Sequence, residues 1–404
     1  MISNRSLGRA LAGAGVLSLT LALAANSGAA TAGGHPRITK PTLTGFAALP
    51  AASFVAGSEP SGVKITGNTN GYAVPFDDQP IQGFSGIADN GDGSYDVLSD
   101  NGYGNQANSA DFLLRIQRIA PAFAGSRVDV VGGITLSDPN KQVPWALTRP
   151  DRVLTGADFD TESIVKAGDG TYWIGDEFGP YLLHFDRAGR LLAAPVPLPG
   201  VIAPETAART GVPATTTSSK GFEGLATSPD GHYLYGLLEG TVSGDTPGQL
   251  RFNEFDVRNQ RYTGKRFVYP LGSPDLAIGD AIAVDKDRFL VIERDGGQGA
   301  TAVIKRIYLA DKRDRNHDGL MDKTLVVDLM NIANPRHLAG LGDTFTFPFQ
   351  TIEDVVILDD HRIAVLNDNN FPFSSGRTAG VADNNEFITV ELPGSLHADK
   401  RLIK

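Results

Sequence analysis

The chain has 404 residues, 36 basic and 46 acidic, and no cysteine. This length allows a large core or two domains. The lack of thiols excludes cysteine nucleophiles and thiolate metal sites, and the anionic balance disfavours nucleic acid and anionic membranes as partners.

The first 32 residues read as a secretory signal peptide. Arg5 and Arg9 form a basic start, Leu11–Ala25 an apolar run, and Ala30-Thr31-Ala32 a small-residue cleavage site before Gly33. The run is shorter than the ~20 residues of a spanning helix. The expected product is therefore a secreted chain of residues 33–404, off the membrane and monomeric. Without Arg5 and Arg9 its balance is 34 basic against 46 acidic residues. No second domain stands out. Gly (47) and Pro (24) are abundant, as many short strands joined by turns require. Ala203–Ser219 and Ser374–Asp383 read as insertion loops, the second as mobile.

One pattern recurs five times: a polar or acidic residue, an apolar strand, a turn, a second apolar strand, and an acidic cluster. The copies span 83–102, 160–179, 220–240, 279–295 and 350–370. The third, KGFEGLATSPDGHYLYGLLEG, shows it most plainly, with Glu223 and Glu239 about equally far from Gly231 in the turn. In an antiparallel hairpin the two outer ends lie side by side. Glu162 and Glu177 pair in this way, as do Asp280 and Glu293, Glu353 and Asn367 (beside Asp368), and Ser85 and Asn101 (beside Asp100). Two further strands follow most hairpins, giving four per unit. Thr42–Leu49 is placed to close the ring as a partner strand. Repetition at this interval predicts an all-β fold, a single β-propeller with five countable blades. A sixth could be hidden in 61–76 or 105–152, and a β-sandwich is the alternative.

If each first strand is innermost, the polar ends converge on a central channel. Carboxylates so confined cannot all stay ionised without protons or cations. The candidate ligands for Ca²⁺ are Glu162, Asp176, Glu177, Glu223, Glu239, Asp280, Glu293, Glu353 and Asp368, with Asp100, Asn101 and Asn367 beside them. Glu223, Glu162 and Arg294 are the candidate catalytic residues. Arg294 and Lys220 are expected to bind a phosphate, and His184 is a candidate proton donor or a packed core histidine. The plain alternative is that the carboxylates cap hairpins and tie blades together.

A second calcium candidate is the loop Asp314, Asn316, Asp318, Leu320, Asp322, in a D-x-N-x-D-G-x-x-D pattern whose Gly319 permits the sharp turn. Leu325 stands where a bidentate Glu would complete such a loop. Serine-esterase chemistry has little support, because Gly83–Ile87 lacks the second glycine of G-x-S-x-G.

The phrases GFSGI (83–87), SDNGYGNQANSADFLLRIQRI (99–119), DTESI (160–164), GDEFGPYLLHFD (175–186), GFEGLA (221–226) and TIEDV (351–355) resemble, in this order, the phytase-like secreted bacterial family labelled "esterase-like activity of phytase". The resemblance runs from about residue 43 to 392. It implies a six-bladed propeller and hydrolysis of a small phosphoester or ester. The strings typical of the calcium-dependent β-propeller phytases are absent, so their ligands are not carried over. The expected activity is Ca²⁺-dependent hydrolysis in an acidic channel. The alternatives are a lactonase-like hydrolase with one central Ca²⁺ and a non-catalytic calcium-binding module.

Overall fold

The computed structural model describes residues 38–404, and the expected signal segment lies outside them. β1 (Thr42–Leu49) comes first. Blade one is β2 (Phe84–Asp89), β3 (Tyr95–Ser99), β4 (Arg115–Ala122) and β5 (Arg127–Thr135). Blade two is β6 (Thr161–Lys166), β7 (Tyr172–Asp176), β8 (Tyr181–Phe185) and β9 (Val196–Pro197), followed by the helix α1 (Pro204–Thr210). Blade three is β10 (Phe222–Thr227), β11 (Tyr233–Leu238), β12 (Gln249–Asp256) and β13 (Arg261–Pro270). Blade four is β14 (Ala277–Ala283), β15 (Arg288–Arg294), β16 (Lys305–Asp311) and β17 (Asp322–Asp328). A short pair, β18 (Ile332–Ala333) and β19 (Thr344–Phe345), precedes β20 (Thr351–Asp359), β21 (Arg362–Asp368) and β22 (Asn385–Glu391). The order β20–β21–β22–β1 makes blade five, so the N-terminal strand closes the ring as expected.

The fold is a β-propeller, and the inner strands fix its blade number. β2, β6, β10, β14 and β20 each pack on the next, and β20 returns to β2. Five apolar clusters fill the five gaps, such as Leu98, Leu114, Ile164 and Leu183 between blades one and two. Burial of each such side chain contributes about 1.5–3 kcal/mol. Packing on both faces explains why the inner strands read as near-continuous apolar runs.

The six-bladed count implied by the family resemblance is therefore corrected to five. Residues 61–76 make only the bridge Ser61–Phe76, and Ile65 and Phe76 pack with Tyr103, Phe112 and Phe371. Within 105–152, β4 and β5 serve as the outer strands of blade one. The fourth strand of blade two is only two residues long. Pro195, Pro197 and Pro199 withhold the N–H donors that a longer ladder needs. The loop at 374–383 is tied to Asp383, whose carboxylate accepts from the N–H of Gly376 (2.6 Å) and Arg377 (2.8 Å). At the turn end of the inner strands, a cavity of about 390 Å³ is lined by Ile87, Leu225 and Val355 with Arg401, Leu402 and Lys404 of the C-terminal tail.

Candidate metal centre

Every inner strand carries a β-bulge near its start, where the register slips by one residue. The skipped residues are Ser85, Glu162, Glu223, Gly279 and Glu353. A bulge re-aims its side chain, and five of them set one ring of positions around the axis. A second ring comes from the residue at or just after the end of each second strand: Asp100, Glu177, Glu239, Arg294 and Asp368. In three blades its N–H donates to the residue two before the bulge, at 2.9 Å (Asp100 to Gly83, Glu177 to Asp160, Glu239 to Gly221). In the other two it pairs in register, Arg294 with Ala277 and Asp368 with Thr351.

This register shifts the fourth copy by one residue from the sequence alignment. Gly279 and Arg294, not Asp280 and Glu293, are the ring pair of blade four. A Cβ on Gly279 would lie 1.9 Å from the Ile352 carbonyl oxygen, so the strands' close approach requires glycine there. Asp280 accepts from the N–H of Ala281 (2.7 Å) and Val355 (3.0 Å), tying blade four to blade five. Glu293 accepts from Tyr269 Oη (2.6 Å) and Gly272 N–H (3.1 Å) and pairs with Lys323. Asp176 accepts from Asp160 N–H (2.9 Å) and Gly179 N–H (2.8 Å). Asn367 binds the backbone at Asn384 and Glu386, and Asn101 that at Tyr103 and Gly104. These five residues fasten strands and loops through those bonds.

The remaining candidates come together. Carboxylate oxygens of Asp160, Glu162 and Glu177 lie within 4.8 Å of one another, as do those of Glu177, Glu223 and Glu239. Glu177 belongs to both trios. All five are buried. Asp160 was not among the sequence candidates. It precedes β6 and stands two residues before Glu162, a spacing that puts both on one face of an extended chain.

Around them, Arg294 Nη2 donates to Glu353 Oε1 (2.8 Å), Glu239 Oε1 (3.3 Å) and Glu223 Oε1 (3.4 Å). Lys220 pairs with Glu239, and Gly221 N–H donates to Glu177 Oε1 at 2.8 Å. Ser85 Oγ donates to Glu353 Oε2 at 3.0 Å, placing Ser85 as a spacer between blades. Arg294 and Lys220 thus act as counter-ions within the ring. His184 stacks on Trp173 at 4.1 Å and its Nε2 lies 3.0 Å from Thr171 Oγ1, as a packed histidine would.

Eight carboxylates (Asp100, Asp160, Glu162, Glu177, Glu223, Glu239, Glu353, Asp368) face two fixed cations. Burial, then Asp160 and Glu223, pushes Glu162 well above the usual carboxylate range. Burial, then Glu239, does the same to Glu223 and Glu177. Burial, then Asp100, does so to Asp368. The set therefore needs protons or bound cations, and its oxygen-only donors suit a hard cation.

The loop 314–322 joins β16 to β17 at the surface. Asp314 accepts from the N–H of Asp318 and Gly319, both at 3.0 Å, and Asp322 accepts from Arg315 N–H at 2.9 Å. Asp318 accepts from Leu320 N–H at 2.8 Å, and Asn316 Oδ1 from Asp318 N–H at 3.1 Å.

Among known proteins, the chain is 32% identical over 113 residues to an uncharacterized secreted protein of Arthroderma benhamiae, covering 24% of this chain and 22% of the relative. The match thus spans about a fifth of that curated relative's length. Solved structures that resemble it include a luciferin-regenerating enzyme (9% identity, 78% of this chain and 80% of that one, TM-score 0.36). Another is a thermostable family-43 glycoside hydrolase (9%, 77% and 88%, TM-score 0.39). The strand pairing, not these distant likenesses, establishes the fold. A family model described as phytase-like, "esterase-like activity of phytase", matches residues 79–371. The chain belongs to this phytase-like family.

Proposed function

We propose that the chain is a secreted, Ca²⁺-dependent hydrolase of phosphoesters or other small esters, working at the carboxylate ring. The observation that supports this is the pair of carboxylate trios sharing Glu177, in a ring with eight carboxylates and two fixed cations. Asp160, Glu162 and Glu177 would hold one cation, and Glu177, Glu223 and Glu239 a second. A bound cation would neutralise ester oxygens and acidify a water. The chain's own residues supply the rest. Glu223 takes the proton of the attacking water and returns it to the leaving oxygen as the ester bond breaks, and Glu162 orients that water from the neighbouring blade. Arg294 holds Glu353, Glu239 and Glu223 in place and offsets their charge. The loop 314–322 takes a structural Ca²⁺ on Asp314, Asn316, Asp318, the Leu320 carbonyl and Asp322. The apolar run after Arg9 and the secreted relative support export.

The test is hydrolysis of a generic phosphoester, a carboxyl ester and a lactone by purified protein, metal-stripped and then with Ca²⁺ restored, beside Glu223→Gln. Calcium-dependent turnover lost in the variant supports the proposal. Lactone turnover alone would favour a single-ion lactonase. No turnover, with Ca²⁺ still raising thermal stability, would leave a binding module.

A further inference from the structure

A cavity of about 510 Å³ adjoins the ring. Two segments outside the blades build it: the loop carrying Trp145 and Thr148, and α1 with Glu205, Thr206 and Arg209. Phe178 and Tyr181 of blade two complete the wall. Thr206 Oγ1 donates to the Phe178 carbonyl at 2.8 Å, one residue from Glu177. Ser218 pairs with Glu205, while Ser219 Oγ donates to Asp160 Oδ2 at 3.4 Å. Phe178 and Asp158 of the cavity wall thus lie one and two residues from Glu177 and Asp160 of the ring.

Arg209 lies over the Trp145 ring, its guanidinium carbon 3.6 Å from the centroid. Its Nη2 donates to Tyr181 Oη at 2.6 Å and Thr206 Oγ1 at 3.0 Å. Tyr181 and Phe159 pack against Trp145, at 5.5 and 6.1 Å between ring centroids. Arg149, Arg251 and Arg377 each pair with a carboxylate. Arg209 does not: among the described residues its partners are the indole face and two hydroxyls. Of the cavity's carboxylates, Asp158 accepts from Thr148 and Thr155, and Glu205 is held through Oε1 by Ser218, its Oε2 lacking a partner among the described residues. A guanidinium held by stacking gives up little further freedom when it binds, and its remaining N–H edges match an oxyanion.

We propose that this cavity is an anion subsite. Arg209 receives a phosphate or carboxylate group of the substrate other than the one hydrolysed, and the substrate's body packs on Trp145, Phe178 and Tyr181. Resting on the hydrolase reading of the ring, this assigns the substrate class: a small ester bearing a second oxyanion.

The probe is phenylphosphonate, which carries one ring and one oxyanion and is not hydrolysed. The chain has two tryptophans, and Trp173 is buried against His184, so ligand-dependent fluorescence reports Trp145. Wild-type protein in Ca²⁺ should bind saturably at millimolar or lower concentration. Arg209→Gln should weaken binding at least tenfold. Arg209→Lys, which keeps the charge but loses the planar fork, should also weaken it. No saturable binding to wild type, or equal affinity in Arg209→Gln, overturns the proposal. Arg209-dependent binding in a protein that hydrolyses nothing keeps the subsite and sinks the hydrolase reading. Glu223-dependent hydrolysis with Arg209-independent binding does the reverse.

Discussion

Arg294 Nη2 donates to Glu353 Oε1 at 2.8 Å, joining the end of blade four's second strand to the bulge of blade five. The same nitrogen reaches Glu223 and Glu239 of blade three, so one guanidinium serves three buried glutamates. Arg294→Gln removes their counter-ion. Breaking a buried ion pair from one side costs about 3–5 kcal/mol, and the metal-free variant should lose stability on that scale. Added Ca²⁺ should then raise its melting temperature more than it raises that of wild type. Equal calcium-induced shifts in thermal unfolding would refute the counter-ion role.

Glu177 and Asp176 are adjacent, buried and acidic, but only Glu177 belongs to the two carboxylate trios. Glu177→Gln should weaken calcium binding at both trios in calorimetric titration. Asp176→Asn should lower thermal stability by ~1–3 kcal/mol through its backbone hydrogen bonds and leave calcium binding intact. Equal calcium affinity in the two variants would count against a shared ligand.

Gly279→Ala places a methyl against the Ile352 carbonyl, which is backbone and cannot swing aside. Overpacking of this kind costs ~1–3 kcal/mol or more, and chemical denaturation should show at least that loss. Gly168→Ala is the control, since nothing lies within 4 Å of the added atom. Similar midpoints for the two variants would mean that blades four and five can separate freely.

Asp96 carries the clearest acid-side signal. Burial pushes its carboxyl up, but hydrogen bonds from Arg118, Lys166, Tyr172 and Asn90 outweigh burial and bring it down to about 2. Because the folded value lies below the unfolded one, the stabilisation is complete above about pH 4 and is lost as pH falls toward 2. The two values correspond to roughly 2 kcal/mol. Asp96→Asn should flatten the stability profile between pH 4 and 2. An unchanged acid limb in urea unfolding would contradict this.

The hairpins were legible because their turns and apolar runs are local features. So were the pairs Glu162 with Glu177 and Glu223 with Glu239, which flank those turns. The fourth copy was not, because choosing acids by identity selected Asp280 and Glu293. Position would have found Gly279 and Arg294: Ser85 to Asp100, Glu162 to Glu177 and Glu353 to Asp368 all share their 15-residue separation. Trp145 and Arg209 left no such trace. They lie on a loop and on α1, which follow no repeat, and only the folded chain brings them together.

The pairing of β1 with β22 joins Thr42 to Glu391 across almost the whole described chain. Such a contact is among the last that a chain growing from its N-terminus can make, because its partner emerges at the end. Until then β1 has only single-residue pairings, Ala48 with Arg127 of β5 and Thr42 with Ala333 of β18. Afterwards, removing it would leave β22 as an open edge inviting association with a neighbour's strand. The latch that finishes the ring is thus also a checkpoint on full-length synthesis: a product truncated before residue 385 has no β22 for β1 to join and cannot complete blade five.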